Sequence, residues 1–348
     1  MSPRFLLPFS FLVLISAGCM GPGGRQRIHG EAGAAGQSEL LFHTRFEKDT
    51  ALVTDNTGHD RFTGTDHSLA RNSGWDTLEQ ESGGKLRGGG VLYSTGERLH
   101  REATVVKDPT DLGNSVVRFR GIGSPESQKF RIQVDFSSPG HAALKEFTCS
   151  VKLYVPETLS ALRDYPKAIN WLTIAEFWND PAWTSDEETE HAFRVTVGIG
   201  KDAGTGQDLY FRISTDDFSY TGTGANRKYK QIHIEVIRAT HFIIPFDQWM
   251  TLHYYFRDGG YNASDGTPGG HFSMAVVPEG EESQEICSID STMHSPANLA
   301  PKGVTYWNPM KMYTSRTLAA WMQSQGKELE LFFDDLAIWN GPVPGLPN

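Results

Sequence analysis

The segment that decides the fold reads KYKQIHIEVI and runs from Lys228 to Ile237. Aliphatic and polar side chains alternate along it, which is the pattern of a β-strand with one buried face. The aliphatic side chains predicted to face the core are Ile232, Ile234 and Val236. The polar row consists of Gln231, His233 and Glu235, whose Cβ atoms are spaced about 7 Å apart along a strand. Such groups bind and deprotonate polar substrates, although for this strand alone an ordinary half-solvated surface is the simpler interpretation.

Alternation of the same kind recurs through most of the chain. The other predicted strands are Leu40–Phe46, Val116–Arg120, Phe130–Phe136, Phe147–Val155, Asn170–Asp180, His191–Ile199, Leu209–Ser214, Trp249–Arg257, Gly270–Val277 and Glu328–Trp339. Pro156–Tyr165 and Tyr313–Gln323 have the pattern of short helices. Many strands joined by turn-rich segments predict an all-β fold, an antiparallel two-sheet β-sandwich of jelly-roll type with a few short surface helices.

The first 18 residues have the features of an export signal. Arg4 is followed by the apolar run Phe5–Ile15 and by three small residues before Cys19, and this run is too short to span a bilayer. Small residues before a cysteine resemble the bacterial lipobox, which implies that Cys19 becomes the lipidated first residue of the mature chain. Ser16 stands where leucine or valine is usual in that motif, so simple cleavage of the signal is the alternative.

The rest of the chain divides into a tether and one folded domain. Residues 19–37 are rich in glycine and small polar residues and predict a flexible tether. Residues 38–342 are predicted to form a single jelly-roll domain, and we expect a monomer. With a lipidated Cys19, the protein belongs in the cell envelope, anchored at the outer membrane or cell surface; without the lipid it is periplasmic or secreted.

Charge and cysteine content narrow the range of partners. The formal net charge is −10, which argues against nucleic acid because phosphates require a basic surface. Beyond Cys19, the chain contains Cys149 and Cys287. They either form a disulfide in the exported protein or remain buried thiols, and the sequence leaves both interpretations open.

The polar side chains of the predicted strands include an unusual share of arginine for an acidic protein. They are Arg131, Gln133, Glu176, Trp178, Arg194, Tyr210, Arg212, Gln231, His233, Glu235, His253, Tyr255 and Arg257. The planar guanidinium binds carboxylates in a bidentate manner, so an acidic sugar polymer is one interpretation. Pairing of these arginines with the surplus aspartate and glutamate is the other. Trp178 is predicted to stack on a sugar ring, and filling of the core by its indole is the alternative.

Two segments resemble parts of the concanavalin A-like jelly roll of lectins, glucanases and polysaccharide lyases. One is Asp247-Gln248-Trp249 at the start of an alternating strand, and the other is FFDDLAIW at Phe332–Trp339. The resemblance extends over Leu40–Trp339 and rests on pattern more than on identity. It implies a concave sheet that binds a glycan chain across its strands.

Two shorter segments resemble motifs of jelly-roll alginate lyases. Gln231-Ile232-His233 matches their QIH triplet, and YFRDGGYN at Tyr255–Asn262 resembles their YFKAGVYN. In such lyases the glutamine and an arginine neutralise the uronate carboxylate, a histidine or tyrosine removes the C5 proton, and a tyrosine protonates the leaving oxygen.

The resemblance therefore implies roles for particular residues of this chain. The implied catalytic residues are His233, Gln231, Tyr261, Tyr255 and Arg131, with Arg131 standing in for the arginine of a family motif (of RSELR type) that this chain lacks. The predicted substrate-binding residues are Gln133, Glu176, Trp178, Arg194, His253 and Arg257. No cofactor is expected to be required.

The carboxylates of the chain bear on two other kinds of site, a hydrolase centre and a calcium site. A retaining hydrolase needs two carboxylates about 5 Å apart, and the ExDxxE strand of jelly-roll glucanases is absent, so this activity is disfavoured. Glu47 follows the first strand, and Asp334-Asp335 lies on the last. Because the terminal strands of this fold are often neighbours, these carboxylates, Glu47 and Asp335 above all, predict a structural calcium. Ordinary hydrogen bonding by these carboxylates is the alternative.

These observations predict an exported polysaccharide-active protein whose partner is a uronate-containing polysaccharide, and its sharper form is a lyase acting by β-elimination. A non-catalytic, lectin-like surface lipoprotein is the alternative. A structural surface protein without a sugar ligand is a third possibility.

Overall fold

The computed structural model describes residues 38–54, 59–67, 73–93, 101–121, 129–138, 143–178, 192–221, 228–259, 261–262, 264, 267–290 and 303–346. The predicted export signal, the lipidation site Cys19 and the tether lie outside the described residues. Within the described ranges, no helix combines the length and the apolar character that a membrane span requires.

Strands dominate the described chain. In chain order they are β1 (Glu39–Thr44), β2 (Ala51–Thr54), β3 (Asp60–Thr63), β4 (Thr65–Asp66), β5 (Ser73–Gly74), β6 (Arg87–Tyr93), β7 (Arg101–Lys107), β8 (Ser115–Gly121), β9 (Lys129–Ser137), β10 (Glu146–Tyr154), β11 (Leu172–Trp178), β12 (Ala192–Gly200), β13 (Tyr210–Thr221), β14 (Lys228–Ile243), β15 (Trp249–Arg257), β16 (Tyr261–Asn262), β17 (Thr267–Pro268), β18 (His271–Pro278), β19 (Gln284–Asp290), β20 (Tyr306–Asn308), β21 (Lys311–Ser315) and β22 (Glu330–Asn340). The helical segments are α1 (Leu78–Glu81), a 3-10 helix (Glu157–Asp164) and α2 (Arg316–Ser324).

The strands form two large antiparallel sheets, so the predicted all-β sandwich is confirmed. The first sheet has the order β19-β18-β15-β10-β22-β8-β7, and β1 pairs with β22. The second sheet has the order β14-β13-β12-β11-β20-β9-β6-β3-β2, and β21 bridges β11 and β9. Two short ribbons, β16-β17 and β4-β5, complete the described strands.

Aromatic side chains from both sheets fill the space between them. Trp307 is fully buried, and its ring centroid lies 5.6 Å from that of Phe147 and 6.2 Å from that of Phe136. Phe147 in turn lies 6.0 Å from Phe177. Because β10 belongs to the first sheet and β9, β11 and β20 to the second, these contacts join the two layers. Truncating one such ring to alanine typically costs about 3–5 kcal/mol.

The segment KYKQIHIEVI lies at the edge of the second sheet and contains a bulge. Asp216 pairs with His233 and Thr215 pairs with Glu235, so β14 holds one extra residue at this point. An extra residue reverses the inward and outward directions of the side chains that follow. Val236, predicted to be buried, is therefore 41% exposed, and Ala239 faces the core instead. The side chains of Ile232 and Ile234 lie outside the described part.

The second predicted helix begins later than expected. Residues 311–315 form β21, and α2 starts at Arg316 because the Ser315 hydroxyl accepts a hydrogen bond from the Leu318 N–H. The first predicted helix is the 3-10 segment Glu157–Asp164.

The two described cysteines are buried free thiols. Cys149 lies on β10 and Cys287 on β19, and the strands β15 and β18 separate them in the first sheet. Burial raises the pKa of the Cys149 thiol well above its ordinary value and that of Cys287 to about 12. Both thiols are therefore protonated and unreactive at neutral pH.

The carboxylates predicted to bind calcium contact protein groups. Asp335 has a left-handed backbone with φ 50°, and its carboxylate lies 2.7 Å from His43 Nε2 and 3.3 Å from Lys152 Nζ. Although burial opposes ionisation, these two groups lower the pKa of Asp335 to about 2. Glu47 Oε1 accepts a hydrogen bond of 2.9 Å from the Ser115 N–H. Among the described residues, no group of three or more His, Cys, Asp or Glu is arranged for a metal ion.

Asp334, the neighbour of Asp335, gives a prediction about stability. Its side chain is 4% exposed, and Oδ1 has no hydrogen-bond partner among the described residues. Burial raises its pKa from 3.8 to about 7, although Asn114 donates a hydrogen bond to Oδ2. The unfolded chain therefore releases this proton first, and stability falls as the pH rises from about 4 to about 7.

We expect Asp334→Asn to raise the free energy of unfolding at pH 8 by roughly 2–4 kcal/mol, because each pKa unit is worth about 1.4 kcal/mol. At pH 4 the two proteins should unfold alike in urea. Asp208→Asn, at a half-exposed carboxylate, is the control. Destabilisation at pH 8 would contradict the prediction, and a calcium-dependent stabilisation that Asp334→Asn removes would support the predicted calcium at this end of the fold.

Candidate functional site

The outer face of the second sheet carries three rows of side chains that cross the strands in register. The first row is Arg212, Gly198, Thr173, Tyr313 and Arg131. The second is Ser214, Thr196, Glu176 and Asn308. The third is His233, Asp216, Arg194, Trp178 and Tyr306. Rows are two residues apart on β12 and β13, or about 7 Å.

A groove of about 480 Å³ lies over most of these rows and, in the first row, ends at Tyr313, next to Arg131. The residues that line the groove extend from β9 to β14 and include Lys129, Trp171, Tyr313, Arg212, Gln231 and His233. Gly198 lies on the floor of the groove. A larger residue does not fit at this position, because a Cβ atom would stand 2.8 Å from the Leu172 carbonyl oxygen. The groove is open, elongated and perpendicular to the strands, which is the geometry that an extended polymer requires.

His233 presents one ring nitrogen to the groove. Its side chain is 58% exposed, while Asp216 beneath it is fully buried. Nδ1 is hydrogen-bonded to Asp216 Oδ1, so a neutral ring carries its hydrogen on Nδ1 and its lone pair on Nε2. Asp216 also receives the Ser214 hydroxyl at 3.3 Å. The arrangement fixes the orientation and the tautomer that a general base needs.

Asp216 is one end of a buried ionic network. Arg194 donates from Nε and Nη2 to Asp216 Oδ2 at 3.0 and 2.6 Å, and from Nη1 to Glu176 Oε1 at 3.0 Å. Lys311 Nζ donates to the other oxygen of Glu176 and, at 3.3 Å, to Asn308 Oδ1. Two cations and two carboxylates therefore compensate one another beneath the groove.

Burial and pairing act in opposite directions on these groups. Burial opposes the ionisation of Glu176, but the charges of Lys311 and Arg194 hold its pKa below the ordinary value. Burial lowers the pKa of Lys311 to about 8, although Glu176 favours its charged form. The pair is therefore ionised at neutral pH, and its cations are committed to protein carboxylates.

The network continues through a hydrogen-bonded cluster around Asp135. Its Oδ1 accepts hydrogen bonds from Tyr306 OH at 2.6 Å, Asn308 Nδ2 at 2.7 Å and Gln133 Nε2 at 2.7 Å. Burial raises the pKa of Asp135 despite these donors, and burial also raises that of Tyr306. Gln133 is only 2% exposed, so its amide orders the cluster and does not reach a ligand.

Several residues predicted from the sequence do share this face. Gln231, His233, Glu176 and Arg194 line the groove, and Trp178 pairs with Arg194 on the neighbouring strand. Glu176 is 4% exposed and Trp178 is 3% exposed. The Arg194 guanidinium lies 4.9 Å from the Trp178 ring centroid. The expected stacking of Trp178 on a sugar therefore does not fit, because its ring is covered.

Three predicted residues lie on the other sheet. His253, Tyr255 and Arg257 belong to β15, and they face away from the core because Tyr254 and Phe256 are buried between the sheets. Tyr255 OH donates to Glu146 Oε1 at 2.5 Å, and burial lowers the pKa of His253 to about 4. The structure does not bring these side chains to the groove, since the whole sandwich separates them from His233.

Arg131 and Tyr261 are the two further predicted catalytic residues. Arg131 on β9 is five strand spacings from β14, or about 24 Å along the sheet, so it cannot neutralise the carboxylate of a sugar held at Gln231. Tyr261 pairs through its backbone with Pro268, and its side chain lies outside the described part.

The sequence interpretation did not assign Asp216, Trp171, Tyr313 or Lys311 to the site. Asp216 follows the predicted strand end at Ser214 and keeps its alternation, so a longer strand would have included it. Trp171 is 36% exposed, and its ring meets that of Tyr313 edge-on at 4.8 Å. Lys311 has no local signal, because its partner Glu176 is distant in sequence.

Comparison with known proteins finds only weak structural likeness. No family model matches the chain, and no curated protein matches its sequence. One similar solved structure is the marine PL-14 alginate lyase from Aplysia kurodai, at TM-score 0.39 and 10% identity, covering 67% of this chain and 86% of the lyase. Another is the alginate lyase vAL-1 from Chlorella virus, at TM-score 0.38 and 12% identity, covering 76% and 96%. A third is a GH131 beta-glucanase catalytic domain from Podospora anserina, at TM-score 0.32 and 8% identity, covering 69% and 80%. At these values the likeness assigns no role to any residue of the groove.

Proposed function

We propose that this protein binds an acidic polysaccharide in the groove and cleaves it as a lyase, by β-elimination at a uronate residue. The observation that carries the proposal is the pair of His233 and Asp216. A buried carboxylate holds Nδ1, and Nε2 of an exposed imidazole faces an open groove that crosses the strands. A positioned histidine with a free lone pair is the most common general base in enzymes.

The chemistry follows from this placement. His233 Nε2 takes the hydrogen at C5 as a proton, and the electrons of that C–H bond form the C4–C5 double bond. The C4–O bond breaks, and the leaving oxygen takes a proton. Asp216 stabilises the imidazolium that forms, as a carboxylate does for a catalytic histidine.

The negative charge of the uronate carboxylate must be neutralised, because this acidifies the hydrogen at C5. Gln231 lies two residues from His233 on β14 and lines the groove with it, so its amide can donate to that carboxylate. Arg194 lies one strand beyond Asp216 and keeps 17% of its side chain exposed. Tyr261 remains the proton donor that the sequence resemblance implies, and this role stays a prediction.

The carboxylates of the site favour elimination over hydrolysis. A glycosidase needs one carboxyl group that is protonated at the scissile bond. Glu176 is held ionised by Lys311 and Arg194, and Asp216 is paired with Arg194 and His233. Neither carboxylate is free to donate a proton to a glycosidic oxygen.

The proposal is tested by incubating the purified domain with a panel of uronate polymers and following ultraviolet absorbance of the unsaturated ends. Products that absorb would support the lyase. Retention of a polymer without product would favour the lectin-like alternative. Failure to bind or cleave any acidic polymer would contradict both.

We also propose that the protein is anchored in the cell envelope through Cys19. Small residues precede this cysteine as they do in a lipobox, so Cys19→Ala should move the protein from the membrane fraction to the soluble fraction. Mass spectrometry of the N-terminus of the wild type provides the second measurement. Unchanged fractionation together with an unmodified N-terminus would contradict the anchor.

A further inference from the structure

The first row of the groove has a cation at each end and none in between. Arg212 and Arg131 terminate it, and Gly198, Thr173 and Tyr313 separate them. Each neighbouring pair in this row is directly opposed across two antiparallel strands. The row therefore spans four strand spacings, or about 19 Å.

Unlike Arg194 and Lys311, the two end arginines have no carboxylate within ion-pair distance among the residues that the structure describes. Arg194 and Lys311 are bonded to Glu176 or Asp216. Arg212 lines the groove and forms no ion pair with any residue that the structure describes. Arg131 stacks on Tyr313, with its guanidinium carbon 4.3 Å from the ring centroid, and its buried Nε has no hydrogen-bond partner in the described chain.

A guanidinium without a carboxylate partner is the group that an anionic ligand recognises. In an extended glycan, one sugar unit advances by about one strand spacing, ~4.8 Å. The distance between Arg212 and Arg131 therefore matches the distance between the first and the fifth of five consecutive units. The units between lie over uncharged residues and beside the exposed ring of Trp171, which offers apolar surface to a sugar face.

We propose that the groove recognises its polymer through acidic groups at the two ends of a stretch of about five sugar units, one bound by Arg212 and the other by Arg131. This inference rests on the proposed function, because it assigns the acidic glycan of that same groove. The first row lies two rows from His233, or about 14 Å, so these sugar units lie beside the unit that reacts. Recognition at both ends makes the gain in affinity between short and long oligosaccharides depend on both arginines, whereas simple charge attraction increases gradually with each acidic unit.

The test uses alginate oligomers of defined length and isothermal titration of the His233→Ala protein, in which cleavage does not shorten the ligand. We expect affinity to rise about tenfold or more between three and five units, since a trimer can reach only one arginine at a time. Arg212→Ala and Arg131→Ala should each lower the affinity for the pentamer about tenfold and leave that for the trimer within about threefold. Arg87→Ala, at an exposed ion pair with Glu79, is the matched control and should change neither.

Two results would overturn the inference. One is equal loss of trimer and pentamer affinity in either arginine variant, and the other is a pentamer affinity that neither variant changes. If polymers are bound or cleaved in these cases, the proposed function stands and only the end-recognition fails. If neither the wild type nor His233→Ala binds any acidic polymer, the proposed function fails and takes this inference with it.

Discussion

Replacing His233 with glutamine is expected to abolish the elimination while leaving the fold intact. The side chain is 58% exposed at the edge of the second sheet, so its removal opens no cavity in the core. A positioned general base contributes about 10²–10⁴-fold to a rate, and we expect a loss of that size in kcat. The melting temperature should stay close to that of the wild type.

The same strand supplies the control. His241 is also exposed on β14, where its Nε2 contacts the Glu285 carbonyl oxygen at 3.1 Å, and His241→Gln should retain full activity. Asp216→Asn should lose activity as well, because an amide no longer favours the tautomer with its lone pair on Nε2. An active His233→Gln protein would place the base elsewhere. A clearly lower melting temperature of His233→Gln would show that His233 is needed for stability.

The alternation of side chains predicted the fold because it reports burial directly. Phe130–Phe136 and Trp249–Arg257 coincide closely with β9 and β15, and every side chain predicted to face the core in them is buried. Alternation alone also placed Gln231, His233, Glu176 and Arg194 outside the core. Burial energy determines these directions residue by residue, so no knowledge of distant contacts was needed.

Alternation does not reveal which sheet a strand joins. Tyr255 and His233 both point outward, yet β15 pairs with β10 in the first sheet and β14 pairs with β13 in the second. Strand pairing depends on contacts between residues far apart in sequence, which a local pattern does not encode. The bulge in β14 limits prediction in a second way, since one extra residue reversed the direction of Val236. The resemblance to a lyase motif indicated neither the sheet to which β15 belongs nor the bulge in β14.

The largest effect on stability is expected at the buried pair of Lys311 and Glu176, whose side chains are 3% and 5% exposed. Lys311→Met preserves the length of the side chain but removes the cation that faces Glu176. Breaking a buried ion pair on one side costs about 3–5 kcal/mol, because the remaining charge has lost its compensation. Urea unfolding at pH 7 measures the loss. Lys327→Met, at an exposed lysine outside the network, should be nearly neutral.

The double variant Lys311→Met with Glu176→Gln separates charge compensation from packing. A neutral amide at residue 176 can still accept the hydrogen bond from Arg194 Nη1, and Arg194 keeps Asp216 as its counter-ion. If unpaired charge causes the loss, the double variant should recover at least about half of it, because replacing both partners of a buried pair is often close to neutral. If the double variant is as unstable as Lys311→Met, the loss reflects packing at residue 311 and the ionic interpretation is wrong. The network also holds Arg194 and, through Asp216, the ring of His233. Recovery of stability without recovery of activity would therefore show that the charges beneath the groove are needed to position the base.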